Sequence, residues 1–372
     1  MSPKTFQMGL TPRILRSPYY EKTVENGVAG FSVYNHMLMP TGYGDLIGEY
    51  HRLMNDVSMW DVAVERQVEM VGPDAHKLAQ YLVPRDLTNC RIGQGMYVPV
   101  CDFEGGMLND PVLLRVEEDK YWLSIADGDY DLWAGGVAAA KGWDVKVHIP
   151  DVSPLAIQGP KAEAVVADML GEWVKDLRYF AFKQTELEGI PFICARSGWS
   201  KQGGFEFYLQ DGTKGAQLWD MVAEAGKKYG IAPGTPNNFE RIESGLLSYR
   251  SDMDRTVNPF EIRLGKYVNT EIEADFVGKA ALAQIKAEGP KRLQVGLKME
   301  GSTDIGLNES KWPVLRNGKK VGHVTSAVLS PKFGHYIAIS LVETNEANAG
   351  GEVEVVTHAG TQKATITSIP FK

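Results

Sequence analysis

The sequence lacks the features that mark several large classes of protein. It carries 39 basic and 47 acidic residues, a net charge of −8, so there is no basic excess to displace counterions from DNA or RNA. It has no apolar run long enough for a secretory signal or a membrane span. We therefore expect no nucleic-acid partner, no membrane association and a cytoplasmic location.

Cysteine is scarce and the histidines are scattered. The 3 cysteines, Cys90, Cys101 and Cys194, are odd in number and lack CxxC spacing, which argues against a disulfide framework and a zinc site. No two of the 7 histidines have the one-turn spacing that would place two imidazoles on one metal. We predict buried, apolar cysteines and no metal.

The rest of the composition is that of a globular protein with more than one core. The chain has 372 residues, of which 44% are hydrophobic and 23% charged, and this length favours two or three packed units. Alternation over 59–70 predicts one half-buried strand, and Asp74 to Pro84 predicts a helix. Residues 96–100 and 111–126 predict an antiparallel sheet, and a second set of strand, Gly-Pro and helix follows at 155–170.

Short strands dominate the end of the chain. Beyond Gly289-Pro290, Asn317-Gly318 reads as a two-residue hairpin turn between strands. About 80 residues of this kind indicate a small barrel or sandwich. The predicted class is α+β, divided into 1–150, 151–288 and 289–372.

One segment carries more information than the others. It runs from Arg196 through a glycine-rich turn to Tyr208. Side chains alternate along a strand, so Phe205 and Phe207 fall on one face and Glu206 and Tyr208 on the other. We expect the face with the two phenylalanines to pack in the hydrophobic core. The other face carries a carboxyl group and a phenol that could bind a ligand.

Several motifs, in this order along the chain, resemble the folate-binding aminomethyltransferase (T-protein) superfamily. Within this superfamily, the amino-acid sequences of four segments most closely resemble those of the dimethylsulfoniopropionate demethylases. The segments are Val33-Tyr-Asn-His-Met, Val64-Glu-Arg-Gln-Val68, Asn109-Asp-Pro-Val112 and Ser197-Gly-Trp-Ser-Lys-Gln-Gly-Gly204. The resemblance runs almost end to end. It implies a three-domain ring whose central hole holds tetrahydrofolate.

The resemblance also implies roles for individual residues in folate binding. Glu206 matches the acid that binds the pterin ring, and Tyr208 lines the same site, with Tyr97 and Asn109 as further folate contacts. Asp110 matches the family's aspartate near the reacting nitrogen and is the candidate proton acceptor. Asn109 and Asn237 stand where aminomethyltransferases carry Asp and Arg, and both departures favour a different one-carbon donor.

The implied methyl donor is a small zwitterion with a sulfonium at one end and a carboxylate at the other. An aromatic face attracts a cation by about 0.5–2 kcal/mol, and we expect Tyr34, Trp173 and Tyr208 to serve this end. Arg16 is the candidate for the carboxylate. Other folate-dependent demethylases, acting on methoxy-aromatics or methylated amines, and the glycine-cleavage aminomethyltransferase remain alternatives. A folate-binding accessory protein of iron–sulfur assembly would carry a cysteine near Gly265-Lys-Tyr-Val268, and none is present. The sequence is compatible with a monomer or a homodimer.

Overall fold

The computed structural model describes residues 9–301 and 305–372. It shows an α+β fold in which two sheets face each other, with helices on their outer sides and a barrel at the end of the chain. The helices are α1 Tyr20–Glu25, α2 Leu46–Asn55, α3 Ala75–Leu82, α4 Tyr130–Lys141, α5 Ala162–Leu170, α6 Gly215–Gly226, α7 Asn238–Ser244 and α8 Lys279–Glu288. Single turns of 3₁₀ helix cover Glu172–Asp176, Gly212–Lys214, Lys227–Tyr229, Gly265–Tyr267 and Thr344–Glu346.

The strands are β1 Gly30–Tyr34, β2 Met37–Gly42, β3 Ser58–Asp61, β4 Gln67–Val71, β5 Gln94–Tyr97, β6 Val100–Cys101, β7 Met107–Asn109, β8 Val112–Glu117, β9 Lys120–Ser124, β10 Lys146–His148, β11 Ser153–Gln158, β12 Phe182–Leu187, β13 Ile190–Ala195, β14 Gly204–Leu209, β15 Ala232–Gly234, β16 Arg292–Met299, β17 Trp312–Arg316, β18 Lys319–Leu329, β19 Tyr336–Glu343, β20 Glu352–Thr357 and β21 Gly360–Thr367. They form a five-stranded sheet in the order β10-β4-β9-β8-β5, a six-stranded sheet in the order β12-β13-β14-β11-β3-β15, a closed barrel, and two short pairs, β1-β2 and β6-β7.

Strict alternation of buried side chains makes each large sheet two-sided. In the five-stranded sheet Leu113 and Leu123 pack under α3 and α4, whereas their neighbours Leu114 and Trp122 point to the other face. In the six-stranded sheet the helix-side core contains Phe205 and Phe207 together with residues of α5 and α6. The remaining faces of the two sheets meet through a small apolar cluster: Leu114, Val116, Trp122, Val152, Phe182, Ile193, Ala195 and Tyr208.

The single strand predicted over 59–70 was wrong. The chain forms β3 in one sheet, turns at Val62–Arg66, and enters the other sheet as β4. The amide of Ala63 donates to Asp61 Oδ1, and the amide of Glu65 donates to the carbonyl of Val62. Apolar residues continue to alternate with polar ones through this turn, and the alternation therefore predicted one continuous strand.

The other strand and helix predictions agree with the structure, and the C-terminal strands close into a barrel. Asn317 and Gly318 both have positive φ, as a two-residue hairpin turn requires. All three cysteines are buried and free. The division at 150 and 288 stays a prediction, and β3 lies in a sheet built mainly from residues beyond 150. Within the described residues, no helix is both long and apolar enough to cross a membrane.

Candidate active site

Glu206 lies on the face of β14 that is turned toward the five-stranded sheet, opposite Phe205 and Phe207. Its side chain is 5% exposed. The hydroxyl groups of Ser197 and Tyr208 both donate to Oε2, at 2.5 and 3.2 Å, and no described residue donates to Oε1. Burial raises the pKa of Glu206 above its usual value. One oxygen of a buried carboxyl group is therefore left for a ligand.

The glycine-rich turn before β14 is held by one amide side chain. Gln158 Nε2 donates to the carbonyl oxygens of Ser197 and Phe205, at 3.0 and 3.2 Å, and its Oε1 accepts from Ser200. A Cβ at Gly198 or Gly204 would lie 2.0 or 2.5 Å from Gln158 Nε2. The glycines are required because this amide passes against their backbone, and the result is a fixed position for Ser197 beside Glu206.

Asp110 follows the short strand β7 and lies beside two tyrosines. The Tyr97 hydroxyl donates to Asp110 Oδ2 at 2.8 Å, and the Tyr97 ring meets that of Tyr267 edge-on, with 5.3 Å between centroids. Arg85 donates to the Tyr97 carbonyl and covers the Tyr267 ring at 5.1 Å. Burial is the main reason that the pKa of Asp110 is raised, to about 7. Near neutral pH this carboxyl group can therefore both take up and release a proton.

Glu65 is a third carboxyl group in this region, and the sequence reasoning missed it. It lies in the turn between β3 and β4. Burial, followed by the nearby charges of Glu206 and Asp110, raises the pKa of Glu65 well above its usual value. In the sequence pattern it occupied a polar position of a half-buried strand and was read as solvent-facing. Its place in the Val64-Glu-Arg-Gln-Val68 segment was the available signal.

Two asparagines bring these segments together through the main chain of Ala126. Asn109 is fully buried, and its amide exchanges hydrogen bonds with the Ala126 carbonyl and amide, at 3.0 and 2.9 Å. Asn35, with φ of 48°, donates to the carbonyls of Val64 and Ala126, at 2.9 and 3.2 Å. Asparagine tolerates this left-handed conformation better than most residues. The loops that carry Glu65 and Asp110 are thus fixed to a common point.

The other predicted site residues are not all in one place. Tyr34 lies near Asp110 and Glu65, whose charges help burial to raise the pKa of its hydroxyl. The structure does not bring Trp173 to these groups. It packs against the helix-side core that contains Phe205, and Lys183 lies 4.6 Å from its ring centroid.

Arg16 is 56% exposed in its side chain, and the structure gives it partners on the surface. It forms a long ion pair with Glu21, at 3.6 Å, and lies 4.5 Å over the Tyr20 ring. The residue after it, Ser17, donates to the buried Asp61. Its role in binding a carboxylate stays a prediction.

Two further tyrosines at the site were not predicted. Tyr267 contacts Tyr97 as described, and the charge of Glu206 contributes, after burial, to a pKa of about 12 for Tyr179. Tyr97 and Tyr208 contact Asp110 and Glu206 directly, Tyr267 packs on Tyr97, and Tyr179 lies at the exposed side beside Phe180. Only the tertiary fold joins these residues, because each comes from a different segment of the chain.

Among the described residues, the site contains three carboxyl groups and no basic side chain that pairs with them. No basic side chain of the described residues forms an ion pair or a hydrogen bond with Glu65, Asp110 or Glu206. Within the same residues, no group of three His, Cys, Asp or Glu side chains is arranged to hold a metal ion. The arrangement instead suits a flat ligand with N–H groups, because rings can stack on it and carboxylates can accept from it.

Comparison with protein families identifies the fold directly. Residues 19–271 match the model of the GCVT N-terminal domain, and residues 292–372 match that of the glycine cleavage T-protein C-terminal barrel domain. The chain belongs to the glycine cleavage T-protein family. The predicted aminomethyltransferase-type fold is thereby confirmed, and the two matched regions end and begin on either side of α8.

Individual members of the T-protein family are similar over nearly the whole chain. The dimethylsulfoniopropionate demethylase DmdA of Ruegeria pomeroyi is 44% identical over 354 residues, which is 95% of this chain and 96% of that protein. An aminomethyltransferase of Clostridium botulinum (strain Loch Maree) is 31% identical over 85% of this chain and 86% of its own length. The crystal structure of the glycine cleavage system aminomethyltransferase T from Bartonella henselae superimposes with a TM-score of 0.85, at 25% identity, over 96% of this chain and 98% of that one.

Proposed function

We propose that this T-protein family member is a tetrahydrofolate-dependent demethylase that acts on dimethylsulfoniopropionate. It transfers a methyl group from the sulfonium to nitrogen 5 of tetrahydrofolate and forms 5-methyltetrahydrofolate and methylmercaptopropionate. The reaction is redox-neutral, and we place it in the cytoplasm. The observation that carries the proposal is 44% identity over 95% of the chain with a demethylase of that substrate.

The site offers groups that fit tetrahydrofolate. Glu206 keeps Oε1 free of protein donors while Ser197 and Tyr208 hold Oε2. We assign to this carboxylate the role of accepting hydrogen bonds from the pterin N–H groups. The rings of Tyr208 and Tyr97 are assigned to the flat faces of the pterin. Asn109 contributes by holding the Asp110 loop, because its side chain is fully engaged with main-chain groups.

Tetrahydrofolate, when bound, supplies the nucleophilic nitrogen. Methyl transfer breaks the carbon–sulfur bond, whose electron pair stays on sulfur, and forms a carbon–nitrogen bond in line with it. Positive charge moves from sulfur to nitrogen, and a proton then leaves. Asp110 is suited to favour that charge and to accept that proton, because its pKa of about 7 keeps it partly ionised at neutral pH. The remaining work is alignment of the two reactants.

The sulfonium end of the substrate is assigned to the aromatic side of the same site. Tyr34 and Tyr208 lie beside the carboxyl groups, and an aromatic face attracts a cation. Arg16 and Trp173 were the other predicted substrate contacts. Arg16 lies on the surface beside Glu21 and Tyr20, and Trp173 packs on the helix side of the six-stranded sheet, so the assignment of the sulfonium rests on Tyr34 and Tyr208.

The aminomethyltransferase activity of other family members is the second candidate, and the overall fold allows it. Asn109 counts against it, since its amide is engaged with Ala126 and leaves Asp110 as the acid of that loop. Asn237 is likewise engaged, because it accepts from the amides of Phe239 and Glu240 and so caps α7. Neither position offers the charged group that the aminomethyltransferases carry.

An anaerobic assay tests the proposal. Purified protein, tetrahydrofolate and dimethylsulfoniopropionate should give 5-methyltetrahydrofolate and methylmercaptopropionate in equal amounts by mass spectrometry. If tetrahydrofolate binds and neither product forms, the donor assignment is wrong, and methoxy-aromatics and methylated amines are the next donors to test. If turnover instead requires a lipoyl carrier protein that is loaded with an aminomethyl group, the enzyme is an aminomethyltransferase.

A further inference from the structure

The glycine-rich turn between β13 and β14 is supported from two sides, and only one support, Gln158, lies in the six-stranded sheet itself. The other support is Glu240 on α7. Its Oε1 accepts from the Lys201 amide at 2.9 Å and from Gln202 Nε2 at 3.1 Å. Ser244, one turn later on α7, donates to the same oxygen at 2.8 Å. Glu240 is 1% exposed, so these donors take the place of water around its carboxyl group.

The turn needs a second support because its main chain is little confined. Gly203 has a φ of 81°, and a Cβ there would meet no atom within 4 Å, so packing does not restrict this residue. Gln158 binds the two ends of the turn and Ser200. Glu240 binds the two residues that come directly before Gly203. The two side chains together therefore hold the turn along its length.

The position of the turn determines which oxygen of Glu206 a ligand can reach. Ser197 is the first residue of the turn, and its hydroxyl donates to Glu206 Oε2 at 2.5 Å. The bond from Tyr208 to the same oxygen is longer, at 3.2 Å. The last torsion of a glutamate side chain has a broad energy well. If the turn moves and Ser197 leaves Oε2, the carboxyl group can rotate away from the orientation that leaves Oε1 for a ligand.

The helix that carries Glu240 is itself anchored at both ends. At its start the Asn237 side chain accepts from the Glu240 amide at 3.2 Å. Farther along, Arg241 donates to the buried Asp252 and to Ser326 of β18, both at 2.8 Å. The glycine-rich turn is thereby connected, through one carboxyl group, to the junction between α7 and the barrel.

We propose that Glu240 is a positioning residue for tetrahydrofolate binding, an inference that rests on the function proposed above. Glu240 acts through the turn: it keeps Ser197 on Glu206 Oε2, so that Oε1 already faces the pterin N–H groups before the folate arrives. Fixing a site in its binding geometry lowers the cost of ordering it when the ligand binds. Asp110 has separate support from Tyr97, so the methyl-transfer step should not depend on Glu240.

Anaerobic calorimetry with tetrahydrofolate tests this role. Glu240→Met removes the acceptor and keeps the length of the side chain, and we expect tetrahydrofolate to bind about tenfold more weakly. Glu240→Gln keeps an oxygen at the Oε1 position and should restore most of the affinity. In turnover assays of Glu240→Met the KM for tetrahydrofolate should rise, while kcat at saturating tetrahydrofolate stays within about twofold of wild type.

Glu243→Met is the matched control on the same helix. Glu243 is 5% exposed and accepts from Ser330 and Tyr50, at 2.5 and 2.9 Å, neither of which belongs to the turn. This variant should leave the affinity for tetrahydrofolate unchanged, although it also loses a buried acceptor. The route through Ser197 is tested in a Ser197→Ala background, where Glu240→Met should have little further effect on folate affinity.

The outcomes separate this inference from the function beneath it, because folate binding is measured without a methyl donor. Unchanged affinity in Glu240→Met, or an equal loss in Glu243→Met, would overturn the role of Glu240. A full tenfold loss that persists in the Ser197→Ala background would show that Glu240 does not act through Ser197 and would overturn it too. Wild-type protein that binds tetrahydrofolate and forms no product from dimethylsulfoniopropionate would overturn the proposed donor and leave the role of Glu240 standing.

Discussion

Two groups of buried or partly buried acids in this chain differ in the presence of a cation. At the junction between α7 and the barrel, Asp252 accepts from Arg241 and the Ser248 amide through Oδ2, and from Thr325 and Ser326 through Oδ1. Every acceptor of that carboxylate is used inside the protein. At the site, Glu65, Asp110 and Glu206 have hydroxyl partners or none.

The difference distinguishes a structural cluster from the proposed binding site. A buried carboxylate that is paired with arginine has its charge compensated within the fold, so it can hold two parts of the chain together. A group of carboxyls without a cation is stabilised by what binds to it. The segments Arg241-Ile-Glu-Ser-Gly245 and Val324-Thr-Ser326 belong to the junction. These segments stabilise the fold and lie outside the proposed binding site.

The junction should be the more sensitive cluster in stability. Arg241→Met leaves Asp252 buried without its cation, and we expect the free energy of unfolding to fall by about 3–5 kcal/mol. Urea denaturation followed by tryptophan fluorescence measures it. The double variant Arg241→Met, Asp252→Leu should lose less than Arg241→Met alone. A loss below about 1 kcal/mol in the single variant would mean that the pair is not compensated in the way described.

Asp110→Asn should show the largest effect on turnover. Asparagine cannot accept the proton from nitrogen, so we expect kcat to fall about 10²–10³-fold with folding intact. In wild type, kcat should rise with pH and level off above about 7, because only ionised Asp110 is active and its pKa is about 7. That rise should be absent in the variant. Unchanged kcat in Asp110→Asn would remove this residue as the proton acceptor.

Glu206→Gln should weaken folate binding about 10–100-fold, because a charged acceptor becomes a neutral one. Stability should not fall as it does in Arg241→Met, since burial disfavours the ionised form of Glu206. Tetrahydrofolate and sulfonium affinities are measured separately under anaerobic conditions. An equal loss of both would show that Glu206 supports the whole site and not the folate in particular.

The pH dependence of stability gives a further comparison, because Asp110 has no cation among the described residues to favour its ionised form. The pKa of Asp110 is about 7 in the fold against 3.8 for the free group, so the folded state holds its proton more tightly. Its contribution to stability is therefore complete below pH 3.8 and is lost as the pH rises through 7. The difference in unfolding free energy between Asp110→Asn and wild type should shift by about 4 kcal/mol in favour of the variant from pH 4 to pH 8. No shift would mean that Asp110 ionises as a solvated carboxylate.

Local patterns predicted the part of the site that lies on one strand. Alternation alone placed Glu206 and Tyr208 opposite Phe205 and Phe207, because the two-residue period of a strand is a property of the backbone. The same rule failed at Glu65, where the pattern continues through a turn between two sheets. That turn is held in part by hydrogen bonds from distant segments, such as that from Asn35 to the Val64 carbonyl, which a local pattern does not show.

The remaining gaps have a different cause. Trp173 was predicted at the substrate because of its chemistry, but the side of a sheet on which an aromatic residue packs depends on the helices that cover it. Tyr267 packs on Tyr97 from a segment far away in the chain. The side-chain types needed for the site were visible in the sequence, whereas their convergence depends on tertiary packing.

Asn35 and Asn109 both form hydrogen bonds with the main chain of Ala126, which bears on how side chains at this site can change during evolution. Main-chain atoms are present whatever residue occupies a position, so the framework around Asp110 persists while side chains nearby are exchanged. The turn that bears Glu65 is held by Asn35 as well, through a hydrogen bond to the main-chain carbonyl of Val64. Side chains around this framework can therefore be substituted while the main-chain support of Asp110 stays in place.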